Sequence, residues 1–289
     1  MIYYLALSIA ASSLIFVVFK LFAKYEVNTL QAIIVNYFVA FSCGMLLYEG
    51  STEISAVHEQ SWFYPSISLG VLFIIVFNLM AITTQRSGLS VVSVATKMSV
   101  VVPILFGVFY YREALGIYKI IGIVLALIAV YLTSTKTKDG ISIKKENLIF
   151  PILVFIGSGT IETSIKFIEE AYVSKSDVPI FSATIFGAAA IVGLCIVIYQ
   201  MLTKKFNFEF KNIFAGICLG IPNYFSIYML VQALRQPEFD SSTLFTINNV
   251  AIVMVSTLLG ILLFKERLIT KNWIGIGLAF ISILLITIL

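Results

Sequence analysis

The sequence predicts an all-α polytopic membrane protein, and three observations carry that prediction. Apolar residues fill 60% of the 289 positions against 12% charged, and the mean hydropathy is +1.03; a soluble domain carries roughly 25% charged residues. Apolar runs of about 18 residues or more, the length that spans a bilayer, recur along the whole chain at nearly even spacing. These runs are continuous, whereas a membrane barrel shows alternating segments of about 10 residues. A helix satisfies its backbone groups within one segment, so the runs are helices.

Taken in order, helices are expected at 2–22, 30–48, 63–84, 89–110, 117–134, 148–168, 179–200, 212–234, 241–263 and 271–289. The first run has the hydropathy of a secretory leader. It lacks a basic start and a small-residue cleavage site and is too long, so it is expected to remain as the first helix. Pro65 and Pro179 fall in first turns, where a missing N–H costs nothing. Trp62 and Trp273 fall at helix starts, the headgroup depth that amphipathic rings prefer. Pro103 and Pro222 lie inside helices four and eight; each frees a carbonyl and reads either as a packing kink or as a moving, cavity-lining element. Cys43, Cys195 and Cys218 are scattered through apolar segments and read as small buried hydrophobes, not as a disulfide framework.

A polar stretch, TKTKDGISIKKEN at 135–147, divides the chain into residues 1–134 and 148–289, each with five helices. The two halves match one another. Shifting by 153 residues sets Gly107 on Gly260, Arg112 on Lys265, Glu113 on Glu266 and Gly122 on Gly275, with about 13 identities over the 43 positions from 90 to 132. A weaker match, shifted by 146, sets Lys20 on Lys166. Five is an odd number, so the second copy enters the membrane from the opposite side. The expected architecture is ten transmembrane helices in two inverted five-helix repeats, typical of secondary transporters with a site near the midplane.

The turn of a basic residue, Glu, any residue and Leu, followed by Gly nine residues after the Glu, occurs twice: Arg112–Leu115 with Gly122, and Lys265–Leu268 with Gly275. This doubled motif resembles the EamA-like branch of the drug/metabolite transporter superfamily, and the resemblance covers essentially the whole chain. It implies ten helices, a central cavity lined mainly by helices one to four and six to nine, and transport of small metabolites or drugs, with no particular substrate. Glu113 and Glu266 stand just before membrane helices, where a carboxylate meets unsatisfied N–H groups and the positive end of the dipole, a structural task.

The residues that point to a site are polar groups deep in apolar helices: Asn36, Asn78, Lys97, Glu162, Asn223, Asn248 and Asn249. A charge at the bilayer centre costs at least ~2.5–3.5 kcal/mol on insertion scales and usually faces a cavity or a partner. Lys97 and Glu162 are the two charges well inside the expected spans; Lys20 and Lys166 stand near helix ends and can snorkel. Depths counted at ~1.5 Å per residue put Asn36, Asn78 and Lys97 about 9–12 Å from one face, and Glu162, Asn248 and Asn249 about 21–22 Å from it. Asn223 falls between at about 17 Å. The expectation is two polar layers either side of the midplane.

Three readings stand for Lys97 and Glu162: a path in which Lys97 binds an anionic group and Glu162 carries a proton, a structural ion pair across the halves, or separate snorkelling. In the related small multidrug-resistance transporters the essential carboxylate lies midway along the first helix of the repeat. Glu162 has that place on helix six, while helix one has Phe16 there. Ser158 and Lys166 share the Glu162 face, Ser93 shares the Lys97 face, and Gly216 with Gly220 form a GxxxG that permits close packing.

Other functions fit less well. The single histidine, His58, falls in a loop, so the bundle has no His-based metal site or general base, and no catalytic motif is present; no enzyme, metal or cofactor is expected. The net charge of +4 carries no basic stripe with aromatic platforms, so nucleic acid is not a partner. The expected partners are a small-molecule substrate and membrane lipid, in a monomer or weak homo-oligomer. The expected function is alternating-access transport, possible proton coupling included, at the plasma (inner) membrane; a passive channel or a receptor is the alternative. Thirteen Lys and Arg lie in or near loops after odd-numbered helices and five after even-numbered ones, which places both termini outside. The resemblance implies the reverse.

Overall fold

The computed structural model describes residues 2–50, 53–87, 95–96, 99, 101–110, 112, 116–134, 149–203, 207, 209–236, 240–264 and 270–288. Over these residues the chain is all-helical. The helices are α1 (Ile2–Lys24), α2 (Thr29–Leu46), α3 (Phe63–Ser87), α4 (Val101–Tyr110), α5 (Ile117–Ser134), α6 (Ile149–Tyr172), α7 (Val178–Leu202), α8 (Phe210–Leu234), α9 (Ser241–Phe264) and α10 (Thr270–Ile288). Short 3₁₀ turns at Ile54–Glu59 and Lys175–Asp177 lead into α3 and α7. Most of the expected 89–110 span before Val101 lies outside the described residues, as does the 135–147 segment.

Among the described residues six helices, α1, α2, α3, α7, α8 and α9, are long and apolar enough to cross a membrane, and α5 and α10 contain shorter apolar stretches. At 24 residues α6 has the length, but it carries Glu162, Lys166, Glu169 and Glu170. Of these, Glu169 is paired with Arg235.

Packing follows side-chain size. α2 lies against both α7 and α8, and α3 lies against α6 and α7. A methyl group at Gly216 would stand 2.5 Å from Val35 Cβ and 2.7 Å from the Ala32 carbonyl, and one at Gly220 would stand 2.7 Å from the Asn36 carbonyl. Both glycines therefore serve close helix approach, as a small-residue motif in an apolar helix does. Gly70 does the same for α3 against α7, 2.5 Å from the Ile185 carbonyl. The centre is filled by aromatic rings, with Tyr37 between Phe77 (5.6 Å) and Phe186 (6.2 Å). α5 and α10 form a pair at one side, joined by a bond from the Ser282 hydroxyl to the Gly122 carbonyl (2.7 Å), and contact the rest through α9.

Two expectations change. Trp62 is 1% exposed and packs edge-on against Phe181 at 5.9 Å, so it is a core residue and not a headgroup anchor. Val57, in the 3₁₀ turn ahead of α3, is buried in the same core cluster. Trp273 is exposed, as an interfacial ring would be. Lys166 is 4% exposed, so it does not reach past the end of α6, which continues to Tyr172.

Candidate functional site

Every expected asparagine lands in or beside the helix bundle, but their grouping differs from two separate layers. Asn223 Nδ2 donates to Asn36 Oδ1 at 3.0 Å, linking α8 to α2 and the second half to the first. The depth count missed this for a geometric reason. Asn28 meets Asn212 and Gly220 meets Asn36, so position 36 is level with position 220, leaving Asn223 only about 4.5 Å deeper. Two asparagine side chains are long enough to span that offset. Asn36 Nδ2 also donates to the Ile33 carbonyl (3.3 Å), and both residues are buried.

A second polar junction joins α1, α8 and α9. The Ser8 hydroxyl donates to the Ser226 carbonyl at 2.9 Å and lies 3.2 Å from the Asn248 side-chain oxygen. The Ser226 hydroxyl in turn donates to the Asn223 carbonyl (2.8 Å), so this junction runs directly into the Asn36–Asn223 pair. Pro222 sits beside it and removes one N–H from the α8 ladder. Asn249 is buried next to Asn248, whereas Asn78 spends its amide on its own helix, donating to the Ile74 carbonyl (2.7 Å).

Glu162 is half-buried on α6. Lys97 lies outside the described residues, as do Glu113 and Glu266. The structure does locate Ser99, two positions on from Lys97: a methyl group at Gly159 would stand 2.9 Å from the Ser99 carbonyl and 2.5 Å from Val102 Cγ2. Ser99 and Val102 therefore press on α6 one turn before Glu162. Of the motif glycines, Gly122 and Gly275 are both buried, and Gly122 accepts the bond from α10.

Three functional features were missed from sequence. Glu169 and Arg235 form a buried ion pair between the ends of α6 and α8, and Arg235 Nη2 also donates to the carbonyls of Val173 (3.1 Å) and Ser174 (3.3 Å). Those are orphan acceptors past the end of α6, so one guanidinium neutralises an acid and caps a helix. The spacing of Glu162, Lys166 and Glu169 on one helical face was the available signal. At the opposite face a ring of amides ties α2 to α8: Asn28 N–H donates to Asn212 Oδ1 (2.9 Å), Asn212 Nδ2 to Gln31 Oε1 (2.8 Å), and Gln31 Nε2 to the Asn207 carbonyl (2.7 Å).

The third is a cavity of about 640 Å³ between α3, α4 and α6. Its walls carry Leu69 and Leu72 from α3, Phe106 and Tyr110 from α4, and Thr163 and Phe167 from α6. The lining residues lie within about 14 Å of the face holding the Glu169–Arg235 pair, near half the thickness of a bilayer core. Glu162 stands one residue beyond Thr163, the deepest lining position of α6.

Comparison with known proteins agrees with this architecture. An uncharacterized protein of Haemophilus influenzae is 28% identical over 279 residues, covering 94% of this chain and 93% of the relative. A solved structure titled only "Crystal structure of protein" superposes with a TM-score of 0.77 at 13% identity, covering 98% of this chain and 94% of that one, which shows a shared fold. The model of the EamA-like transporter family matches residues 1–135. Through its first half, residues 1–135, this multi-pass integral membrane protein is similar to the EamA-like transporter family.

Proposed function

We propose that the chain is a secondary transporter that moves a small metabolite or drug-like solute by alternating access between two inverted five-helix repeats, residues 1–134 and 148–289. The observation that carries the reading is the exchange symmetry of the helix contacts. Replacing each helix by the one five places along turns α1–α8 into α6–α3, α2–α8 into α7–α3, α1–α9 into α6–α4, and α2–α3 into α7–α8, and all of these pairs are in contact. α2–α7, α4–α9 and α5–α10 map onto themselves and are also in contact. The close-approach glycines obey the same exchange, with Gly70 on α3 against α7 and Gly216 and Gly220 on α8 against α2. An inverted repeat is the architecture of carriers that rock around a central site.

In this reading the cavity between α3, α4 and α6 is the vestibule, and Glu162 carries a proton below it. Lys97 binds an anionic part of the solute or stabilises Glu162. Ser99, two positions on from it, approaches α6 at Gly159, which supports that role. A cavity confined to one half of the bundle, with the amide ring tying the other face, favours a carrier over an open channel. The charge count puts the vestibule face outside the plasma (inner) membrane. Uptake into proteoliposomes tests the reading: a metabolite mixture should give saturable, pH-gradient-dependent uptake, and Lys97→Met and Glu162→Gln should each reduce it at least 10-fold with folding retained. Normal transport by both variants refutes the assigned residues, and non-saturable uptake refutes the carrier.

A further inference from the structure

We infer that the vestibule selects an aromatic solute bearing one or two hydrogen-bonding substituents, a deepening that rests on the transporter reading. The argument begins with the rings. Phe106 and Tyr110 stack at 4.9 Å with 15° between their planes. Phe167 stands edge-on to both, at 6.0 and 5.5 Å, and Tyr172 edge-on to Phe167 at 6.1 Å. Four rings thus form one continuous wall from α4 to α6, and Tyr110 and Tyr172 keep exposed surface beside the cavity. Offset and edge-to-face partners are what an aromatic solute offers such a wall, each worth about 0.5–1.5 kcal/mol beyond area burial.

The hydroxyls supply the second, independent observation. Small hydroxyls in these helices commonly spend their proton on the carbonyl four residues back: Ser66 on Trp62 (2.6 Å), Thr160 on Ile156 (2.8 Å), Thr163 on Gly159 (2.7 Å) and Thr184 on Ile180 (2.8 Å). Ser68 on α3 and Ser164 on α6 both line the cavity, and among the described residues neither makes such a bond. Their donors remain available to a solute from two walls. Glu162, Lys166 and Glu169 occupy the opposite face of α6 from Thr163, Ser164, Phe167 and Ile168, and among the described residues no charged side chain lines the cavity. The volume of about 640 Å³ is that of a site for one small molecule.

The test measures binding of benzamide and cyclohexanecarboxamide to the purified full chain in detergent by equilibrium dialysis, since the two share size and amide and differ in the ring. Benzamide is expected to bind saturably and at least 10-fold more tightly. Phe167→Leu and, separately, Tyr110→Leu should erase most of that preference, and Ser68→Ala with Ser164→Ala should weaken benzamide several-fold while leaving toluene unchanged. Equal binding of the two amides, or a ring preference untouched by both leucine variants, overturns the inference. Saturable transport of other metabolites without any ring preference sinks the substrate class and leaves the carrier standing; ring-selective binding without uptake of any solute upholds the site and sinks the carrier.

Discussion

Gly220→Ala should destabilise the protein while Gly277→Ala should not, although both put one methyl group on a helix. At Gly220 that methyl would stand 2.7 Å from the Asn36 carbonyl oxygen and 2.7 Å from Val39 Cβ. Ordinary contact begins near 3.5 Å, so α8 must withdraw from α2 by about 0.8 Å. That withdrawal stretches the Asn36–Asn223 bond from 3.0 Å to about 3.8 Å, beyond useful hydrogen-bond length. Overpacking costs about 1–3 kcal/mol and the lost bond about 1 kcal/mol; the helix-propensity gain of alanine returns about 1 kcal/mol. The net is a loss of about 1–3 kcal/mol, which at roughly 2–4 °C per kcal/mol lowers the thermal midpoint by about 2–12 °C. Gly277 has nothing within 4 Å of a methyl group, so its substitution should leave the midpoint unchanged or slightly raised. The assay is thermal unfolding of both variants in one detergent, with uptake measured alongside, since the same shift displaces the polar junction. Equal midpoints for the two variants would refute the close-crossing argument.

Arg235→Met should cost about 3–5 kcal/mol, because it leaves Glu169 buried without its cation; adding Glu169→Gln should recover part of that loss, and additive losses in a double-mutant cycle would show that the pair is not coupled. Asn36→Leu or Asn223→Leu alone should each cost about 1–3 kcal/mol by leaving one buried amide unmet, whereas the double replacement should cost less than either, as read by denaturant midpoints. Reporter fusions at the C-terminus should give alkaline phosphatase activity, as the charge count requires; cytoplasmic green fluorescence instead would reverse the faces assigned to the vestibule.

The helix order was legible because the hydrophobic length of a span is written in consecutive residues. Expected and observed bounds differ by only a few residues over α1 to α3 and α5 to α10. The membrane class and the deep asparagines were legible for the same reason, since a polar group in a long apolar run stands out whatever surrounds it. Which polar groups meet was not legible. Asn36 and Asn223 are 187 positions apart, Ser8 and Asn248 240 apart; the first contact depends on how α8 crosses α2 and the second on how α9 crosses α1. Gly216 and Gly220 could be named as packing residues, but not the helix they approach. Arg235 counted only as a loop charge until the ends of α6 and α8 came together around Glu169. The aromatic wall draws on two helices separated by more than 50 residues, and no periodicity links them. The sequence alone determined the solvent and the helices, because burial in lipid is a property of each segment. Only the tertiary structure decided the partners, because hydrogen bonds and ring contacts act within a few ångströms, and chain position does not set that distance.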